Sequence, residues 1–443
     1  MKKYLFFILI IFIFFTINVY ADDGEITSKC SITVNDKSYP RLTDAKYTTY
    51  NGFTSDEVIK IICDENISHL YIYYDKKSSK GSINNKYSVG QNGYLHELIK
   101  IDNKTNELII NYDESYAISE IFVFNTDNLP SWVEDWQTLD RADLMLFSTH
   151  ADDEQLFFAG LMPTYVDKGY KIQVIYFTNH YNNTNRYHEQ LEGLWTVGIK
   201  YYPVISTFPD AYSTSLNDAI AILERSGNKT SDALKFETEQ IRKYKPYVVV
   251  GHDENGEYGH GQHILCTYLL KDAILNANDP NYDTQSVEKY GLWDISKLYL
   301  HLYNDKQILL DYDLPLKAFD GKTAYEVSKL GYAKHYSQQY TWFTPWLNGE
   351  NNEYTSATQI TKYNPAIYGL YYSSVGDDVQ KNDMFENVVM KESSINIIDN
   401  TKKVIKDFKK IINKSKYYKY IGISLIAVAI AGLLGIFSGN KRR

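Results

Sequence analysis

Two short, unbroken apolar runs, 144–147 and 247–250, each lead straight into a loop rich in histidine and acidic residues. Runs of this length, bounded by polar loops, suit strands of a sheet covered on both faces. The first reads as a strand over 142–149, followed by a helix over about 154–168. Further buried strands are expected at 171–179, 203–207 and 247–251, with helical stretches at 187–197 and 231–244. This alternation predicts an α/β domain over 141–345 built on a parallel, doubly wound (Rossmann-like) sheet. Such sheets bind ligands beyond the carboxyl ends of their strands. Both histidine-bearing loops fall there.

The chemistry of those loops narrows the options. Six of the ten histidines, His150, His180, His188, His252, His260 and His263, lie between 150 and 263. The first loop reads His150-Ala151-Asp152-Asp153-Glu154, and the second runs from Gly251 through His252, Tyr258 and His260 to His263. Zinc accepts a histidine nitrogen and a carboxylate oxygen at about 2.0–2.2 Å, and three protein ligands with one open position make a catalytic site. His150 and Asp153, with the two histidines spaced three apart, have the makings of such a His-Asp-His set. Adjacent carboxylates invite separate roles, one held on the metal and the other free to accept a proton. Glu154 is read as an acidic helix start that complements the dipole; His180, His188 and His252 are read either as supports behind the site or, the favoured reading, as surface or packing residues. No Cys-x-x-Cys pair occurs, so a metal must rely on histidine and carboxylate.

The flanking regions set the context. Residues 22–128 alternate apolar and polar with Asn, Gly, Asp and Lys turns, which suggests a β-sandwich of jelly-roll type. A connector containing Trp132 and Trp136 follows. Lys2 and Lys3 precede an apolar run that ends Val19-Tyr20-Ala21, which reads as a signal peptide over 1–21. Residues 346–416 read as a polar linker and juxtamembrane segment. Residues 417–438 are expected to form a transmembrane helix around the uncharged run 421–437, and 439–443 a basic tail. The domains between the two ends are then expected outside the membrane. An exported chain can pair Cys30 with Cys63 and leave Cys266 alone. The net charge of −9, with no basic stripe, argues against a nucleic-acid partner.

Over residues 140–345 the chain resembles the PIG-L/LmbE family of zinc-dependent deacetylases acting on N-acetylglucosamine groups. The resemblance rests on His150-Ala151-Asp152-Asp153-Glu154, on His260-Gly261-Gln262-His263, on Arg186-x-x-Glu189 with Gly193 and Gly198, and on His335-Tyr336-Ser337-Gln338. Within that family the chain resembles a secreted subgroup from Gram-positive bacteria, with a Trp-rich connector before the first motif. The resemblance implies that His150, Asp153 and His263 hold Zn2+, or another divalent metal, and that Asp152 acts as general base. It makes His260 the donor to the leaving amine or to the oxyanion, Tyr258 a polarising hydroxyl and Arg186 a substrate-binding residue. The expected partner is an amino-sugar glycan or glycoconjugate. Two positions depart from the family pattern. Ala151 replaces a proline, and Gln262 replaces an aspartate, which leaves His260 without a charged partner and with a lower pKa. The β region resembles, less specifically, galactose-binding jelly rolls of the discoidin type. Two other readings stand beside this one: a glycan-binding surface protein with an inactive deacetylase-like domain, and a zinc amidase acting on cell-wall amides.

Overall fold

The structure is a computed structural model that describes residues 24–76 and 78–390. The elements below lie in the compact unit Met1–Asn387, and the second unit, Val388–Arg443, is outside the described residues from 391 on. The expected signal peptide (1–21), transmembrane helix (417–438) and basic tail (439–443) therefore lie outside the described residues. Among the described residues, no helix is long and apolar enough to cross a membrane.

The N-terminal region forms one antiparallel sheet of eight strands: β1 Cys30–Val34, β2 Lys37–Ser38, β3 Asn51–Phe53, β4 Ile59–Tyr74, β5 Gly81–Ile83, β6 Tyr87–Val89, β7 His96–Tyr112 and β8 Tyr116–Phe124. Within the expected sandwich, the apolar stretches 58–63 and 69–74, parted by Asp64-Glu65-Asn66, read as two strands. Instead β4 runs through both, with register shifts between Ile62 and Ile67 and between Ile67 and His69. Its first half pairs with β1 and its second half with β8. The irregularity lets one long strand serve two sets of partners, so the hydrogen bonding is continuous where two sheets were expected. Cys30 and Cys63 face each other across β1 and β4 and are disulfide-bonded, and Cys266 is free and buried.

The second sheet has seven strands: β9 Leu144–Ser148, β10 Ile172–Tyr176, β11 Val204–Ile205, β12 Val248–Gly251, β13 Lys297–His301, β14 Gln307–Leu309 and β15 Ile367–Ser373. Their order is β11-β10-β9-β12-β13-β15-β14, with the first five parallel and β15 antiparallel. The order reverses between β9 and β12, which is the crevice where doubly wound sheets bind ligands. Every residue of β9, β10, β12 and β13 is buried, as a sheet covered on both faces requires. Met145, Phe147, Ile175, Val249 and Leu298 pack against helices α4 Leu216–Arg225, α5 Thr230–Tyr244 and α6 Gly261–Asn276. The other face is covered by α1 Asp153–Leu156, α2 Leu161–Asp167, α3 Asn185–Thr196 and a later helix, Ala324–Tyr332, against which the other three pack.

Two expectations change here. The helix over 154–168 is broken between α1 and α2 at Gly160, whose φ is 88° and where an added Cβ would come within 2.5 Å of the Tyr312 ring. The expected linker from 346 contributes β15, which lies inside the sheet between β13 and β14, so the α/β domain extends past 345.

The two regions are docked on each other. Glu134 in the connector accepts from the Trp136 indole (2.7 Å) and lies 2.6 Å from Nδ1 of His96 on β7. Nε2 of His96 meets Nδ1 of His188 on α3 at 2.8 Å. His188 is therefore part of a buried chain of polar groups between the domains.

One buried group makes a testable contribution to stability. Glu237 on α5 is fully buried facing Cys266, and neither carboxylate oxygen has a hydrogen-bond partner. Burial pushes its pKa well up. A raised folded-state pKa means the protonated form fits the fold, so this stability is complete below the unfolded value and is lost as pH rises. Relative to Glu237→Gln, the wild type is expected to lose about 1.4 kcal/mol per pH unit above pH 5. A stability difference between the two that stays constant from pH 5 to 7.5 in denaturant titrations would disprove it.

Candidate metal centre

The centre forms where β9 and β12 end. Nδ1 of His150 lies 3.0 Å from Oδ2 of Asp153 and 3.2 Å from Nε2 of His263, and that Nε2 lies 3.2 Å from the same Oδ2. All three side chains are buried. A tetrahedral ion with bonds of 2.0–2.2 Å would need ligand edges of about 3.3–3.6 Å, close to this triangle.

The outer hydrogen bonds decide which atoms face inward. Gln262 donates its amide to the Pro209 carbonyl (2.7 Å), and its Oε1 accepts from the Ala211 N–H (3.1 Å). That orientation points Oε1 at Nε2 of His150, 3.0 Å away, so Nε2 carries the proton and Nδ1 presents a lone pair. Glu257 does the same for His263, accepting from its Nδ1 at 2.7 Å and leaving the Nε2 lone pair inward. Two lone pairs and a carboxylate oxygen thus converge with no proton of their own between them, a donor set that fits a divalent cation. Burial opposes charging His263, but the carboxylates of Asp153 and Glu257 push its pKa up to about 10.

Glu257 was not singled out in the sequence, although it is central to the site. It also accepts from Nδ1 of His252 (2.8 Å) and Nδ1 of His301 (2.6 Å), and is fully buried. Nε2 of His252 accepts the Thr149 N–H at 3.0 Å. His252 thereby ties the ends of β9 and β12 together, and its remaining lone pair is occupied. It is neither a surface residue nor free to bind metal.

Asp152 and Asp153 diverge as their adjacency suggested. Asp152 has φ 121° and ψ −32°, a conformation non-glycine residues rarely hold, at a cost on the order of 1–3 kcal/mol. Its Oδ1 pairs with Arg186 at 3.2 Å, and its N–H donates to Glu154 at 2.8 Å. Burial raises the Asp152 pKa to about 7; Arg186 opposes the rise and Asp153 adds to it. Glu154 is no exposed helix start: it is fully buried and lies 2.9 Å from Nε2 of His335. Glu189 likewise accepts from the backbone and hydroxyl of Ser337, at 2.9 and 2.6 Å. The short motifs at 150–154, 186–189 and 335–338 are thus joined by buried contacts.

Arg186, expected to face substrate, is already engaged by Asp152, by the Ala151 carbonyl and by Asp210 at 3.4 Å. Asp210, a second residue the sequence reading passed over, also lies 3.0 Å from Nδ1 of His180. Nε2 of His180 accepts the Ala151 N–H, so this histidine supports the first loop. His260 caps α6, its Nδ1 accepting the Gln262 N–H at 3.2 Å, and its ring stacks on His263 at 4.7 Å. Burial, then His150 and His263, lower its pKa to about 2. Tyr258, held at φ 46°, places its ring 5.6 Å from both His260 and His263. Its hydroxyl is kept protonated, chiefly by burial and then by Asp153 and Asp152.

Comparison with known proteins points the same way. Residues 145–274 match the family described as PIG-L: GlcNAc-PI de-N-acetylase. Over 83 residues the chain is 34% identical to a 1D-myo-inositol 2-acetamido-2-deoxy-alpha-D-glucopyranoside deacetylase 2 of Saccharopolyspora erythraea, covering 19% of this chain and 28% of that protein. Over 68 residues it is 35% identical to the corresponding deacetylase of Geodermatophilus obscurus, covering 15% of this chain and 22% of that one. The matched part thus spans 28% of the first of these relatives and 22% of the second. Among solved structures, the N,N'-diacetylchitobiose deacetylase of Pyrococcus horikoshii aligns at 17% identity and a TM-score of 0.37, covering 52% of this chain and 84% of that one. The match to the PIG-L family thus falls on the part of the α/β region that holds both histidine-bearing loops.

Proposed function

We propose that the chain is a zinc-dependent hydrolase that removes acetyl groups from N-acetylglucosamine-type amino sugars. The observation that carries this reading is the convergence of Nδ1 of His150, Oδ2 of Asp153 and Nε2 of His263, each oriented by a buried partner, in the stretch that matches the PIG-L family. When bound, zinc supplies Lewis acidity that polarises an amide carbonyl and brings the pKa of water to about 7.

The chain's own residues account for the remaining needs of amide hydrolysis. Asp152 accepts a proton, and Arg186 fixes its carboxylate. Because Nδ1 of His260 accepts the Gln262 N–H, its neutral ring offers Nε2–H as a donor. We therefore assign His260 and the Tyr258 hydroxyl to the developing carbonyl oxyanion, and assign the return of a proton to the amine to Asp152. We further propose that the enzyme is exported and membrane-anchored with this domain outside. The apolar termini support that reading, and the Cys30–Cys63 disulfide suits an oxidising compartment.

The full chain, purified and supplied with zinc, should contain about one metal per chain under the open-site arrangement and release acetate from N-acetylglucosamine conjugates. Chelation should abolish the release, and added zinc should restore it. Acetate release that survives complete metal removal would exclude the assignment, and peptide release without acetate would favour a wall amidase.

A further inference from the structure

An aromatic path leads from the metal centre to the surface. Tyr258, beside His263, packs edge-on to Trp342 (5.6 Å), which is 47% exposed and is held by Phe343 at 4.2 Å. Beside His260, Tyr212 packs edge-on at 5.2 Å and is 69% exposed. Trp342 lies on the segment that follows His335 and Ser337, and these residues clamp its base to Glu154 and Glu189. The two exposed rings therefore flank the site on anchored chain.

We propose that Trp342 and Tyr212 form sugar subsites beside the reacting residue, so that the substrate is an oligosaccharide chain of N-acetylglucosamine units rather than a single sugar. This rests on the deacetylase reading and names its substrate class. The flat C–H face of a pyranose matches the face of an aromatic ring, and its hydroxyl rim stays in water as the edges of these rings do. Leaving two large rings exposed beside the site has no folding benefit, whereas covering them with sugar removes apolar surface from water. Charge points to a neutral occupant. The site concentrates Asp152, Asp153 and Asp210, and Arg186 is already paired with Asp152 and Asp210. A phosphate attached to the amino sugar would find no unengaged guanidinium there. The chain's net charge of −9 adds to the repulsion.

The test compares N-acetylglucosamine with its β-1,4-linked tetramer on the full, zinc-loaded chain. The wild type is expected to prefer the tetramer in kcat/KM. Trp342→Ala should cut that preference about three- to tenfold through KM, as loss of a stacking contact predicts. Trp342→Phe should recover most of it, and Tyr212→Ala should lower it independently. Equal kcat/KM for the two sugars in the wild type, or a preference untouched by both alanine variants, would overturn the proposal. If no acetate is released from either sugar, the deacetylase reading fails, but calorimetric binding of the tetramer to Asp152→Asn protein still tests the subsites. Tetramer binding weakened by Trp342→Ala supports them; absence of tetramer binding, or tighter binding of a phosphoinositol-linked glucosamide, refutes them.

Discussion

Asp152→Asn is expected to leave the metal in place and to slow acetate release by about 10²–10⁴, the usual contribution of a general base. The substitution preserves shape, and Arg186 can still pair with the remaining side-chain oxygen, so the loop's unusual φ of 121° should be retained. What disappears is the proton acceptor. Asp153→Asn should do the opposite. Its Oδ2 lies within 3.2 Å of both histidine nitrogens and accepts the His150 N–H at 2.7 Å, so a neutral amide there weakens the metal itself. Metal content by elemental analysis, measured alongside acetate release, separates the two roles. Loss of metal in Asp152→Asn with retention in Asp153→Asn would reverse the assignment, and undiminished acetate release in both would remove the site from the chemistry.

The parallel sheet and the inner ligands were legible in the sequence for a shared reason. Fully buried strands leave unbroken apolar runs, and a site at their carboxyl ends puts its ligands directly after those runs. His150 follows β9 by two residues, and the loop that leads to His263 opens directly after β12. Residues whose function depends on long-range contact left no such trace. Glu257 joins three histidines lying up to 44 residues from it in the chain, and Glu154 meets His335 across 181. In the sequence, Glu257 is one acid in a polar loop and Glu154 looks like an ordinary helix start. Asp210 follows the short edge strand β11, where apolar patterning is weakest. Of the two readings open for His180, His188 and His252, the favoured one, surface or packing, missed their polar partners, because burial of a lone histidine has no sequence period. The bend in β4 was missed for a related reason: a bulge breaks alternation just as a turn does. The run at 367–373, in a mostly polar stretch, gave little sign that it would add a strand beside β13.

Glu257→Ala should weaken metal binding by about 10- to 100-fold, the range for loss of a buried partner to a metal-binding histidine, although Glu257 is not among the three inward-facing ligands. Its carboxylate, held well below the usual range by His252, His263 and His301 against the cost of burial, anchors a fully enclosed cluster. Removing it leaves the Nδ1–H groups of His252, His263 and His301 without their acceptor. His263 is then free to change tautomer and turn its lone pair away from Asp153. His252 loses its restraint on the Thr149 N–H that joins β9 to β12. Breaking a buried charge network of this kind costs roughly 3–5 kcal/mol of stability, so folding must be measured beside metal affinity. Glu257→Gln separates the two effects, since it keeps the volume and one acceptor oxygen while removing the charge. The glutamine variant should remain folded with zinc affinity between those of the wild type and the alanine variant. Because the carboxylate's pKa is depressed in the fold, its contribution is present above the unfolded value near 4.5 and is lost as pH falls below it. The stability gap between wild type and Glu257→Gln should accordingly be full at pH 7 and shrink as the medium is acidified below about pH 4.5. Wild-type zinc affinity in a folded Glu257→Gln protein would show that His263 holds its orientation without this carboxylate.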